Sequence, residues 1–513
     1  MDGFTRRSVV TGLSAAAAWS LMRPSAVMAL TPRRFRADPF ALGVASGEPV
    51  RDGFVLWTRL VGDGLALLDD PEIPVGWEVA EDEGFRRIVH RGGAMAVRDL
   101  AHSVHAEVAG LMPGRPYWYR FHVGGAVSPA GRTLTVPERP ERLNIALTSC
   151  QHWECGYFGA YRDMIDGAPD LIVHVGDYIY ESPTRGKAVR PFGTDVPEDL
   201  AGYRARHALY KSDADLRAAH AAAPWLATWD DHEVLNDYAS LISADGASPE
   251  AFGRRRAAAY QAYFEHMPLR PSAMLGESGM QMYRRLAWGD LATFHVLDGR
   301  QYRSDQACPL PDKLGGRRLS PSECAGIDDP GRTLLGAVQE RWLDEGLAAD
   351  KARWSVLAQQ TAFSPLDLQP GEGTMVSTEG WDGYGAARRR LNASLQRARP
   401  RNAVFLGGDV HSFWASDVKA DFDDPTAPVI ASEFLTSALA GGKLPPTLYA
   451  PPGENPHVRF GDTNHQGYMR LSFDRRTLEA DMRMIEDQTV AASPSHSLAR
   501  FVVPDGRPGP GKL

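Results

Sequence analysis

Four short stretches concentrate side chains that hold cations: Ser149-Cys150-Gln151, Gly176-Asp177-Tyr178-Ile179-Tyr180, Asp230-Asp231-His232-Glu233 with Asn236, and Gly407-Gly408-Asp409-Val410-His411. Asp177 and Tyr180 set a carboxylate and a phenol three residues apart. The run Asp230 to Glu233 stacks charges that repel one another unless a cation sits among them. Asp409 and His411 alternate in a glycine loop, so both can point at one ion. A single Asp after a strand is ordinarily a helix cap. Four such groups, each following an apolar run, read instead as a metal site able to activate water.

Each group needs an element to aim it. Asn144–Leu147 and Asp170–Val175 are apolar runs of strand length, ending at Cys150 and Asp177. Between them, Tyr157–Asp166 places Phe158, Tyr161, Met164 and Ile165 on one helical stripe that stops at Gly167. Strand, helix, strand is a βαβ unit, and in open α/β sheets the ligand crevice lies at the carboxyl ends of the strands. Further on, a charged helix is expected over Leu200–Ala223, then a strand from Trp225 to Trp229 that delivers Asp230 and Asp231. Ala251–His266 and Gln339–Ala349 read as helices, and Thr293–Leu297, Trp354–Ala358 and Ala403–Leu406 as strands. Arg470–Phe473 and Glu479–Arg483 suit a last hairpin. From about residue 141 the alternation is that of an α/β domain.

The preceding stretch is different. Phe54–Thr58, Gly76–Ala80, Ser103–Val108 and Tyr117–Phe121 are short strand-like runs separated by turn residues, the pattern of an antiparallel β-sandwich. Ala109–Tyr119 resembles the fibronectin type III pattern, in which Leu and Pro in a turn precede a strand with paired tyrosines. That stretch has no makings of a catalytic site and reads as a packing or positioning domain, joined to the rest by Val136–Pro140.

With 513 residues the chain has room for more than one domain. Its net charge of −8 and the lack of a Lys/Arg block argue against a nucleic-acid surface. Thr11–Met22 is apolar but too short to span a bilayer. Preceded by Arg6-Arg7 and followed by Ser25–Ala29, it reads as a twin-arginine export signal cut after Ala29. The expected divisions are therefore residues 1–29, 30–137 and 138–513, with no membrane span in the mature chain. An oxidising destination permits disulfides. Cys308 and Cys324 bracket a Pro/Gly-rich segment and are expected to close a loop, Cys150 is reserved for metal, and Cys155 is a buried thiol or a partner for Cys150.

The order Gly-Asp, Asp-His-Glu, Gly-x-Asp-x-His resembles the calcineurin-like metallophosphoesterases, and the Gly-Asp-x-x-Tyr element that of purple acid phosphatases. The chain resembles most the PhoD-type alkaline phosphatases, through Leu42–Pro49 with Val55–Arg59, Ser149–Gln151, Gly176–Glu181, Trp229–Val234, Asp298–Gln306, Leu357–Gln360, Trp381–Tyr384 and Gly408–Ser412. Gly299 departs from the Thr expected in many relatives. The resemblance implies an αββα metallophosphoesterase sandwich behind a fibronectin III/Ig-like domain, and a site of ferric iron and calcium. Cys150, Asp177, Tyr180 and His411 form an electron-rich set suited to ferric iron. Asp409 with Asp231 or Asn236 offers oxygen ligands suited to calcium, and zinc, manganese or cobalt are alternatives. His232 is expected to contact the phosphate or protonate the leaving oxygen, or else to orient Asp231. Arg300 is expected to grip phosphate, or else to form a structural ion pair. Trp381–Tyr384 and Asn464–Tyr468 read as rim loops or as packing.

These features imply an exported phosphomonoesterase or phosphodiesterase that scavenges phosphate from small esters. Its partners are those esters and the twin-arginine translocation machinery. Phospholipase D-like diester hydrolysis, and a metallophosphatase-like binding protein without activity, are the alternatives.

Overall fold

A computed structural model of the chain describes residues 35–274, 279–310, 314–442 and 454–513. The export signal expected over residues 1–29 lies outside the described residues. Among the described residues eight strands precede the linker: β1 (Val44–Val50), β2 (Gly53–Arg59), β3 (Glu72–Ala80), β4 (Ile88–Val97), β5 (Ser103–Val108), β6 (Pro116–Val123), β7 (Ala126–Val127) and β8 (Gly131–Leu134). Period-two alternation is plain in β6, where Tyr117, Tyr119, Phe121 and Val123 are buried and Trp118, Arg120 and His122 are half-buried. β4, β3, β6 and β7 form one sheet, with β8 on β6. It faces β1, β2 and β5 across an apolar core that includes Phe54, Leu56, Val75, Trp77 and Phe121. This is the expected sandwich, with one addition. Its β1–β2–β5 layer continues into the next sheet, because Gly47 of β1 pairs in parallel with Trp225.

Beyond the linker come β9 (Arg142–Thr148), β10 (Leu171–Val175), β11 (Trp225–Thr228), β12 (Arg284–Trp288), β13 (Ala292–Val296), β14 (Arg318–Leu319), β15 (Trp354–Ala358) and β16 (Val376–Ser377). They are followed by β17 (Ala403–Gly407), β18 (Phe413–Lys419), β19 (Val429–Leu435), β20 (Val458–Asp462), β21 (Gly467–Asp474), β22 (Thr477–Ile485), β23 (Ser495–Pro504) and β24 (Gly511–Lys512). One sheet runs β24-β23-β22-β21-β9-β10-β11-β1-β2-β5, the other β12-β13-β15-β17-β19-β18-β20. Their central strands are parallel and mostly apolar, as burial on both faces favours. Leu147, Val173 and Leu226 of the first sheet meet Phe294, Val356 and Leu406 of the second in a shared core.

Helices close the outer faces. Ala160–Asp166, Leu200–Lys211, Ala214–Ala222 and Pro249–His266 cover the first sheet, and Ala337–Ala349 and Gly385–Ala398 the second. The layers are α, β, β, α. Two expected helices are shorter. The one predicted from Tyr157 begins at Ala160, behind a single turn at Trp153–Cys155. The one predicted over Leu200–Ala223 is two, because the Asp213 carboxylate accepts from the N–H of Asp215 (3.0 Å) and Leu216 (3.1 Å) and starts a new helix. Among the described residues no helix is long and apolar enough to cross a membrane.

Candidate metal centre

The expected ligand loops follow β9, β10, β11 and β17, so all four gather at one end of the two sheets. The backbone there is bent hard. Cys150 (φ 54°), Asp177 (φ 57°), Asp237 (φ 59°), Asp409 (φ 65°) and His411 (φ 47°) all occupy the left-handed region. For a non-glycine residue that costs about 1–2 kcal/mol, and such strain gathers where side chains must be aimed. Gly176 makes the loops' approach feasible: at φ 116°, a Cβ there would lie 2.5 Å from Asp230 Cβ.

Cys150, Asp177 and His411 bring a sulfur, a carboxylate oxygen and a ring nitrogen within 4.8 Å of one another. Tyr180 Oη lies 3.0 Å from Asp177 Oδ2 and 3.0 Å from His411 Nε2. His411 Nδ1 donates to the Gly442 carbonyl at 3.3 Å, which leaves Nε2 with its lone pair toward Tyr180. The Tyr180 hydroxyl therefore faces two acceptor atoms, and burial also pushes the Asp177 carboxyl well above its usual range; a cation held by these four side chains would displace their protons. Burial, then the Asp177 charge, pushes the Cys150 thiol well above its usual range. Burial followed by Asp177 and Cys150 does the same to the Tyr180 phenol. Burial lowers His411 to about 4, so this ring is a neutral donor. Cys150 and Cys155 are both free thiols, whereas Cys308 and Cys324 are bonded.

The other side of the cleft is carboxylate-rich. Asp231 lies within 4.8 Å of Asp177 and His232, and likewise of Asp237 and Glu379. Arg300 runs through this group: Nε is 2.5 Å from Asp230 Oδ1, Nη2 is 3.6 Å from Asp231 Oδ2, and Nη1 pairs with Glu379. Arg303 adds a second contact to Glu379 at 2.8 Å. Of the two roles expected for Arg300, the observed contacts are those of the ion pair. Burial opposes ionisation of Asp231, but Arg300 and His232 outweigh it and hold the carboxylate below its usual range. Burial, then Glu379 and Asp231, pushes Asp237 up to about 8. Burial, then Asp231, pushes Asp409 up to about 6. Asp409 lies outside the three tight groupings found among the described residues. Asn236 is exposed, and its backbone N–H donates to Glu181 Oε1 at 3.0 Å.

His232 Nδ1 donates to the buried Glu181 at 2.7 Å, and its ring stacks on Tyr180 at 4.1 Å. Nε2 is thus the nitrogen left to face a ligand. Burial disfavours the charged ring, yet Glu181, Asp231 and Asp177 together raise His232 well above the ordinary histidine value. Sequence reasoning missed Glu181, Asp237 and Glu379 as members of this site. Glu181 ends the Gly176–Glu181 motif and Asp237 follows Asn236, so both were legible as acids, whereas Glu379 reaches the cleft only through the fold. Trp381, Tyr384 and Tyr468 are buried, so packing is their role in the expected rim loops.

Residues 145–482 match the family model described as "PhoD-like phosphatase", and residues 25–137 match "PhoD-like phosphatase, N-terminal domain". The chain is 43% identical over 482 residues to "Alkaline phosphatase D" of Bacillus subtilis (strain 168), covering 91% of this chain and 81% of that protein. It is also similar to a solved structure titled "Structure of PhoD", with a TM-score of 0.88 and 41% identity over 94% of this chain and 93% of the other.

Proposed function

The chain belongs to the PhoD-like phosphatase family and hydrolyses phosphate esters, and from that premise we propose that it is an exported two-metal enzyme. Cys150, Asp177, Tyr180 and His411 would hold ferric iron; Asp177, Asp231 and Asp409 would hold calcium, with Asn236 at the rim. Zinc, manganese or cobalt would fit the same donors. The supporting observation is the convergence of the Cys150 sulfur, an Asp177 oxygen and a His411 nitrogen within 4.8 Å of one another, with the Tyr180 hydroxyl 3.0 Å from Asp177 Oδ2 and 3.0 Å from His411 Nε2. When bound, such ions supply a hydroxide equivalent near neutral pH and offset charge on the phosphoryl group.

The remaining chemistry falls to side chains. Glu181 fixes the His232 ring, so Nε2–H can give its proton to the leaving alkoxide as the phosphorus–oxygen bond breaks. Water adds to phosphorus and ends on the phosphate, and its spare proton restores His232. Arg300 holds Asp230, Asp231 and Glu379 at fixed spacing. Residues 30–137 would brace the catalytic part, 138–513, and contribute no catalytic group. Arg6-Arg7 and the alanine-rich run support twin-arginine export to the periplasm or medium, where small phosphate esters are the substrates.

Elemental analysis and visible absorption of the exported protein, with mono- and diester assays, test this reading. Expected are iron near one per chain, calcium, a phenolate or thiolate charge-transfer band, and hydrolysis. A folded, active protein without bound metal would overturn it.

A further inference from the structure

Residues 438–442 border the Cys150–His411 half of the centre and are held from two sides. On one side they pair with the chain leaving β9. The Leu439 N–H donates to the Ser149 carbonyl (3.0 Å), the Ala440 N–H to the Cys150 carbonyl (3.3 Å), and the His152 N–H to the Ala440 carbonyl (2.6 Å). On the other side stands Gln488, in the turn between β22 and β23. Its Nε2 donates to the Gly441 carbonyl at 2.8 Å, and its Oε1 accepts from the Gly441 N–H at 3.0 Å. The primary amide thus pairs with both backbone groups of one residue, as a neighbouring antiparallel strand would. The Gln488 carbonyl also accepts from the Tyr157 N–H at 2.8 Å, on the run that follows Cys150. Gln488 therefore bridges the two segments that flank the ligands.

The next residue along is Gly442, whose carbonyl receives His411 Nδ1–H at 3.3 Å. That bond decides which ring nitrogen faces Tyr180. The packing leaves little slack: a Cβ on Gly441 would lie 3.0 Å from His411 Nδ1 and 2.6 Å from Ala438 Cβ, and one on Gly156 would lie 2.6 Å from the Gln488 carbonyl. Gln488 stands past residue 482, where the catalytic family match ends.

We propose that Gln488 is a positioning residue for the metal centre: by clamping Gly441 it fixes the Gly442 carbonyl, and through it the orientation and tautomer of His411. The proposal rests on the metal reading above for its consequence, though the clamp itself does not need a metal. Partners one layer behind a metal ligand are commonly worth about 10- to 100-fold in affinity or activity.

The test compares Q488M with T489A in the full-length protein. Q488M keeps the side-chain length and removes both hydrogen bonds. T489A disturbs the same turn, where the Thr489 hydroxyl and N–H donate to Asp487. Amide hydrogen exchange over residues 439–442 is measured after chelation, and iron affinity and kinetics on the loaded protein. Q488M is expected to speed exchange there about tenfold, weaken iron binding about tenfold, and lower kcat with little change in KM. T489A is expected to do none of these. Unchanged exchange in Q488M overturns the proposal, as does a lower melting temperature with unchanged iron affinity per folded chain. If the parent protein binds no metal while Q488M still speeds exchange, the clamp stands and the metal reading falls.

Discussion

The half of the centre around Cys150 and His411 is built from weakly acidic or neutral donors and one carboxylate, Asp177. The half around Asp231 is built from carboxylates already counter-charged by Arg300 and Arg303. The difference lies in what each half must give up to take a cation. The first must release protons, because burial keeps its thiol and phenol un-ionised. The second must share Asp230, Asp231 and Glu379, which arginines already hold, and has only the carboxyls of Asp237 and Asp409 to deprotonate. Asp177 joins them, since it belongs to the ligand groupings on both sides.

The largest effect is expected where the halves meet. Asp177→Ala should cost about ten-thousandfold in kcat, since several kcal/mol are at stake at each ion, and should empty both positions in elemental analysis. Loss of one metal with the other intact would show that the halves are separate sites. Next in size is Arg300→Met, which leaves buried Asp230 and Asp231 without their cation and Glu379 with Arg303 alone. Urea denaturation of the metal-free protein should show a loss of about 3–5 kcal/mol. A smaller loss would mean that protons, more than arginines, balance that half.

A third test isolates those protons. Asp237 is held near 8 against an ordinary 3.8, so the folded metal-free protein keeps a proton that the unfolded chain releases near pH 4. A group with a raised folded-state pKa binds more protons when folded, so its contribution falls as pH rises through that window. The stability of metal-free Asp237→Asn relative to the parent should therefore grow from about pH 4 to pH 8, read by thermal melting. A flat difference would mean that Arg300 ionises Asp237 in the folded state.

The loops that converge at the cleft were legible because each follows an apolar strand, and strand ends in α/β sheets face a common crevice. Cys150, Asp177, Tyr180, Asp231 and His411 could be assembled from that rule alone. Glu379 could not: it stands on an irregular segment that only the packing against Arg300 and Arg303 brings to the cleft. Gln488 offers even less signal, as a polar residue in a turn between two strands. The break at Asp213 was legible in hindsight, since Ser212-Asp213 is a common helix start, but the charged periodicity ran smoothly across it. The register of β1 on β11 was beyond reach, because it joins residues far apart in the chain with no local mark of the pairing.

That pairing also bears on how the molecule can be taken apart. β11 feeds Asp230 and Asp231, and it is sheltered on one flank by β10 and on the other by β1. A chain begun at the linker would present β11 as a bare edge, with open N–H and C=O groups beside buried Trp225 and Leu226. Such edges recruit other strands, and aggregation follows. The front layer therefore guards the catalytic sheet against self-association, and a shortened chain would lose solubility before it lost any group that does chemistry.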